Sequence, residues 1–207
     1  MKPLRDYYDA VVVGAGPNGL SAAIALSNTL DSVLLLEAQS TVGGGTRSAE
    51  LTLPGFVHDI CSAVVPLALS SPCFRDLGLE RYGLTWIHPE IPLAQPFDDG
   101  SALFLHRSLD VTTHSLGRDG KAYKELVTPF VESHERLLSD ILRPLRVPDH
   151  PFLTARFGMK AMWSARHLAE TTFRDDHTRA LFAGMAAHAM LPLDKPLTAS
   201  FGLVLAI

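Results

Sequence analysis

Three clusters in the first quarter of the chain have residue types and spacings suited to holding a nucleotide. Gly14, Ala15, Gly16, Pro17, Asn18 and Gly19 form a G-x-G-x-x-G pattern. In such a pattern the first glycine permits a tight turn. The second leaves the backbone bare for a pyrophosphate, and the third lets a helix pack close to a strand. Free N–H groups and the positive end of the helix dipole then face the phosphates. Glu37 follows at the end of the next element. An acidic side chain there accepts hydrogen bonds from ribose hydroxyls and repels a 2′-phosphate. The expected ligand is an adenosine diphosphate moiety with a free 2′-hydroxyl, as in NAD or FAD and not NADP. Gly43, Gly44, Gly45, Thr46 and Arg47 make a second glycine run. It ends in a permanently charged planar donor suited to phosphate or ribose. Each cluster has a plainer alternative: a glycine-rich strand-to-helix turn, a solvated glutamate, a flexible surface loop.

The elements around these residues support the nucleotide reading. Residues 8–13 (YDAVVV) are β-branched and apolar and read as a buried parallel strand. Residues 17–29 read as a helix, and residues 32–36 (SVLLL) as a second buried strand ending at Glu37. Strand, glycine turn, helix and strand make a right-handed βαβ unit, the context in which the glycine pattern carries meaning. Residues 38–47 form a loop, and Pro54-Gly55 marks another turn. Pro72 suits the first position of a short helix that Gly78 caps.

After Leu84 the texture changes. Pro89, Pro92 and Pro96 punctuate short extended pieces, and Asp99-Gly100 predicts a hairpin joining residues 94–97 to 102–106. From Ser108 the pattern is helical. Asp119 is placed to cap a long helix whose apolar residues run from Tyr123 through Val127, Phe130 and Leu138 to Leu142, three and four apart. Pro129 should kink it, and Arg143-Pro144 should end it. That stripe reads as core. Further helices fit residues 155–170 and 177–190. Asp175, Asp176 and His177 read as a helix-start charge cluster, and Met162 and Trp163 as packing residues. The fold class is α/β: a Rossmann-like βαβ domain with a parallel sheet over residues 1–83, then a mostly helical domain with a β-hairpin over 84–207.

Composition narrows the function. Of 207 residues 47% are hydrophobic and 19% charged, which suits a globular core and excludes intrinsic disorder. The net charge of −4 excludes nucleic-acid binding by phosphate neutralisation. Cys61 and Cys73 alone make neither a disulfide framework nor a four-cysteine zinc site, so no metal is expected and Cys61 reads as a buried structural thiol. Lys2 and Arg5 precede an apolar stretch over 10–26, but the Gly-Pro-Asn-Gly run breaks the continuous helix that a secretory signal needs. No run is long enough for a transmembrane helix. The expected compartment is cytoplasmic and reducing. The mean hydropathy of +0.16 allows peripheral membrane contact, although no basic amphipathic helix is evident in the sequence.

The runs DAVVVGAGPNGLSAAIAL and VLLLEAQSTVGGGTR resemble the N-terminus of FAD-dependent oxidoreductases of the amine-oxidase and phytoene-desaturase superfamily. SAELTLPGFVHDICSAVVP resembles the phytoene-desaturase-like branch. The resemblance covers residues 8–66. It implies FAD, with Gly14, Gly16, Gly19, Glu37, Gly44, Gly45 and Arg47 on its ADP half and Ala15, Pro17, Asn18, Ala38 and Thr46 completing that site. It implies that residues 58–62 approach the flavin side. It also implies hydride transfer from an apolar or amine-type small-molecule substrate to the flavin N5; no catalytic acid or base is identified.

Family members are much longer, so the 207 residues are expected to be an N-terminal portion. The remainder of the enzyme or a partner chain would complete the flavin site. On that expectation the apolar run over 201–207 would have nothing to pack against and would be exposed. Two other functions compete: a non-catalytic dinucleotide-binding remnant or subunit that needs a partner, and an NAD-dependent dehydrogenase, against which the GGGTR run argues.

Overall fold

The structure, a computed structural model, describes residues 5–207, so Lys2 of the N-terminal basic pair lies outside the described residues. The chain consists of two compact units, Met1–Leu77 and Gly78–Ile207.

In the first unit, β1 (Ala10–Val13), α1 (Pro17–Ser27) and β2 (Val33–Leu36) form the βαβ unit. β1 and β2 pair in parallel, with Ala10 opposite Val33 and Val13 opposite Leu36. Pro17 occupies the first turn of α1, where its missing N–H costs nothing. A single turn of 3₁₀ helix over Gly44–Thr46 precedes β3 (Ser48–Glu50), which pairs antiparallel with β4 (Val57–Asp59) across the Pro54-Gly55 turn. Two short helices follow, α2 (Pro66–Ser70) and α3 (Pro72–Leu77). Pro72 opens α3 as expected, and Gly78 follows it with φ of +57°.

The strands are less buried than their apolar sequence predicts. Val11 and Val13 face solvent, Val13 with 81% of its surface exposed. Among the described residues of this unit only Ala15 is fully buried. The physical reason is sheet size: within this unit the parallel sheet has two strands, and α1 covers one side of them.

The second unit carries the hairpin β5 (Leu93–Pro96) and β6 (Ala102–Leu105), with Gly100 in the left-handed region at the tip. Helices α4 (Leu109–Ser115), α5 (Gly120–Val131), α6 (His134–Ile141), α7 (Pro151–Ala161), α8 (Ala165–Thr172), α9 (Asp176–Ala186) and α10 (Thr198–Leu205) complete it. The apolar stripe is core, as read: Tyr123, Val127, Phe130 and Leu137 join Leu168, Leu181, Phe182, Met185 and Leu203 in one cluster.

Several details differ from the sequence expectation. The long helix is two helices. Pro129 stays inside α5, and the chain leaves helical geometry at Ser133 before α6 starts. The helix expected over 155–170 is also two, separated where the Ser164 hydroxyl caps α8 by accepting from the His167 N–H. Asp119 precedes α5 but does not cap it. Its buried carboxylate accepts the N–H groups of Arg174 and Asp175 and so anchors the entry to α9. Asp175 in turn caps α9 through the His177 N–H, as the charge cluster suggested. Met162 is exposed, whereas Trp163 packs against the core. Most of the apolar run over 201–207 is not left open: Phe201 stays exposed, but Leu203 is fully buried, and Val204, Leu205, Ala206 and Ile207 pack against the same core, because α10 lies across α9, α7 and α8.

Candidate nucleotide-binding site

The glycine turn takes its shape from three backbone demands. Gly14 has φ of +96°, a conformation that L side chains rarely adopt, and its N–H donates to the Leu36 carbonyl at 2.7 Å. A Cβ on Gly19 would lie 1.8 Å from the Gly14 carbonyl oxygen, so α1 packs against the turn at a distance open only to glycine. Gly16 is the N-cap of α1 in extended geometry. It offers no side-chain cap, and no acidic residue occupies the first turn. The N-terminal amides and the positive end of the helix dipole therefore keep their capacity for an anion.

The second glycine run closes on the first. The Gly43 N–H donates to the Ala15 carbonyl at 2.7 Å. A Cβ on Gly44 would sit 2.9 Å from the Gly16 Cα, and Gly44 has φ of +54°. The two loops thus meet backbone to backbone. Arg47 is tied into the same loop, its Nε donating to the Gly44 carbonyl at 2.9 Å. Thr46 Oγ1 donates to the Gly43 carbonyl. Gly43 belongs to the run read from the sequence, but its bond to Ala15 is the part that motif spacing did not single out. The signal was present as the first of three consecutive glycines.

Glu37 reaches back from the end of β2. One carboxylate oxygen accepts the Ala15 N–H at 2.7 Å, and the other accepts the Gln39 N–H at 2.9 Å. These bonds, from Gln39 first and Ala15 next, hold its carboxyl below the usual glutamate range, assisted by the Arg47 charge. An ionised carboxylate has about four acceptor positions, of which the backbone takes two. The rest suit a ribose diol. Glu37 is therefore not a merely solvated side chain: it ties the strand end to the glycine turn. Ala38 follows it in an exposed position.

The segment after the Pro-Gly-Phe turn runs alongside this cradle. The Ile60 N–H donates to the Arg47 carbonyl and the Ser62 N–H to the Gly45 carbonyl, both at 2.9 Å. Cys61 lies beside Gly45 but is exposed, contrary to the buried thiol expected, because β4 ends in the open. His58 and Asp59 are surface groups of the β3–β4 hairpin, bonded to Thr52 and Ser48 respectively.

These residues fit the ADP half of a dinucleotide. A helix N-terminus stands uncapped, a Cβ at Gly14 would meet nothing within 4 Å, and a carboxylate keeps open acceptor positions at the strand end.

Comparison with known proteins agrees with this geometry. The family described as NAD(P)-binding Rossmann-like domain matches residues 12–77. A limonene dehydrogenase polypeptide of Castellaniella defragrans is 28% identical over 134 residues, which are 63% of this chain and 24% of that protein. Hydroxyneurosporene desaturase of Cereibacter sphaeroides is 31% identical over 201 residues, 86% of this chain and 38% of that protein. The chain thus spans well under half the length of these curated relatives. Among solved structures, wild-type putrescine oxidase bound to putrescine superimposes on 96% of this chain and 41% of its own, with a TM-score of 0.57 and 22% identity, a likeness of fold. Residues 12–77 therefore match the NAD(P)-binding Rossmann-like domain family and have its βαβ fold, in a chain whose curated relatives are named as a dehydrogenase, a desaturase and an oxidase.

Proposed function

We propose that this chain supplies the ADP-binding part of an FAD-dependent oxidoreductase, with the nucleotide domain over residues 1–83 and a substrate domain beginning in 84–207. The observation that carries the reading is the backbone closure of Gly44 on Gly16, which joins two glycine loops and an uncapped helix into one cradle beside Glu37. A lone glycine turn serves many nucleotides; the joined loops are the element that a simple NAD dehydrogenase does not need.

In this reading the Gly16, Asn18 and Gly19 N–H groups and the helix dipole face the pyrophosphate, while Gly14, Ala15 and Pro17 shape the turn, the first two with their N–H groups held by Leu36 and Glu37. Glu37 and Ala38 take the adenosine ribose, and Gly44, Gly45, Thr46 and Arg47 give the second contact. The flavin, when bound, supplies a two-electron acceptor for substrate oxidation at its N5. The chain's own residues bind and orient the nucleotide. Arg47 adds fixed positive charge, and Glu37 selects a free 2′-hydroxyl. Polypeptide outside these 207 residues, from the same enzyme or a partner chain, completes the floor and lid of the ring site. The substrate is a small molecule, apolar or an amine. Two exposed thiols, Cys61 and Cys73, suit a reducing, cytoplasmic setting.

The test is a pair of titrations of the purified chain, with FAD and with FMN, followed by flavin fluorescence. FMN lacks the ADP half. Binding of FAD, competed by ADP, with FMN at least about tenfold weaker supports the reading. FMN binding as tightly as FAD refutes it.

A further inference from the structure

Helix α7 is apolar on two sides. Phe157 and Ala161 face inward and join the core. Phe152, Ala155, Met159 and Met162, three and four residues apart, form a second stripe on the solvent side, with Phe152 91% and Met159 66% exposed. A helix that has already buried one apolar face ordinarily turns a polar one to water. The loop leading into Phe152 continues the pattern: Leu145 and Val147 stand fully or almost fully exposed.

The uncompensated charge along this stripe is positive. The chain carries a net charge of −4, yet residues 142–163 hold Arg143, Arg146, Arg156 and Lys160 against a single acid, Asp149. α7 itself has Arg156 and Lys160 and no acid. Arg143 and Arg146 are paired with Asp140 and Asp149, which leaves Arg156 and Lys160 as the cations without an acid. Arg156 has no ion-pair partner among the described residues, and the Lys160 ammonium lies 4.5 Å over the Trp163 ring. The loop is also held in place. The fully buried Asp140 carboxylate accepts the N–H groups of Asp149 and His150, the Thr154 hydroxyl and the Arg143 guanidinium, which fixes the start of α7.

We propose that the open face of α7, with the Leu145–Val147 loop tip, is a docking surface for an anionic lipid bilayer. The helix would lie in the plane of the interface, with Phe152, Met159 and Met162 in the acyl boundary and Arg156 and Lys160 at the headgroups. Exposed apolar side chains with uncompensated cations and an aromatic–lysine pair at one end are the composition of an interfacial helix. At 11 residues α7 is too short to span a bilayer, and no described helix is long and apolar enough to cross one. The sequence concealed this face because the expected helix over 155–170 omits Phe152 and runs through the α7–α8 break. The proposal rests on the second unit alone and does not depend on nucleotide binding.

The experiment is co-sedimentation of the chain with phosphatidylcholine vesicles and with vesicles containing about 30% phosphatidylglycerol as the anionic probe, at two salt concentrations. Binding to the anionic vesicles, weakened by salt and at least about tenfold reduced in Phe152→Glu/Met159→Glu, is the expected result. Arg156→Gln should lower it about fivefold. Both sets of positions are exposed, and an unchanged thermal melt of the variants excludes unfolding as the cause. Equal binding to the two vesicle types, or retention by the double glutamate variant, overturns the proposal. So does an oligomer that the double variant disperses without any vesicle binding, since that assigns the face to a protein partner.

Discussion

The two units of this chain are ordered by different forces. The helical unit is built on side chains: Phe130, Leu168, Phe182, Met185 and Leu203 are buried in one cluster, and the hairpin and helices are arranged around it. The nucleotide unit is built on backbone. Its one fully buried residue among those described is Ala15, and its shape comes from a parallel ladder, two glycine loops in van der Waals contact and a carboxylate that ties them together. A site for phosphate needs bare N–H groups and no side chain in the way, so the residues that make it are those that contribute least apolar burial. The units should accordingly respond to opposite kinds of mutation.

The largest effect belongs to the core. Leu168→Ala should cost the helical unit about 2–5 kcal/mol, because the side chain is fully buried and α8 is packed against α9 and α10. Thermal or denaturant unfolding measures it; a loss under about 1 kcal/mol would mean that the cluster is loosely packed. Asp119→Ala should cost about 1.5–3 kcal/mol by leaving the Arg174 and Asp175 N–H groups without their charged acceptor, and the same unfolding assay reads it. An unchanged midpoint would remove the anchoring role given to Asp119.

In the nucleotide unit the sensitive position is a glycine. Gly44→Ala adds a Cβ at 2.9 Å from Gly16 in a left-handed conformation, a strain of about 1–3 kcal/mol that falls on the cradle itself. FAD or ADP binding should drop sharply while the helical unit melts normally. Normal nucleotide affinity would show that the loop contact is incidental.

Acid should act on the helical unit through Asp140. Burial alone would raise its pKa, but the Asp149 and His150 N–H groups, the His150 ring and Thr154 outweigh this and bring it down to about 2. A carboxylate lowered on folding contributes stability that is complete above its unfolded pKa near about 4 and is lost as pH falls toward about 2. The acid-unfolding transition of Asp140→Asn should be flatter over that window than the wild type's. The smallest effect contrasts with the first: Val13→Ser, on the open face of β1, should change stability by less than about 0.5 kcal/mol.

What was legible in the sequence follows the same division. The glycine turn and the βαβ order were readable because backbone conformation restricts the residue type at each position, and Glu37 stands at the strand end where the order places it. Val11 and Val13 misled because a buried parallel strand and an open one carry the same apolar residues; burial depends on what lies above, which a local pattern does not encode. Asp119 misled for a related reason. Its position before α5 looked like a cap, yet its partners, Arg174 and Asp175, lie far ahead in the chain, beyond the reach of local spacing. The run over 201–207 was read as unpartnered because the core it completes, around Phe182 and Met185, is assembled from helices distant in sequence.

The central claim, that the joined glycine loops and Glu37 hold an ADP moiety with a free 2′-hydroxyl, is tested most directly by calorimetric titration with ADP and with its 2′-phosphorylated analogue. The account predicts that the wild-type chain binds ADP at least about tenfold more tightly than the analogue, and that Glu37→Gln brings the two affinities together by removing the charge that repels the extra phosphate. Equal affinity of the wild-type chain for both ligands would contradict it.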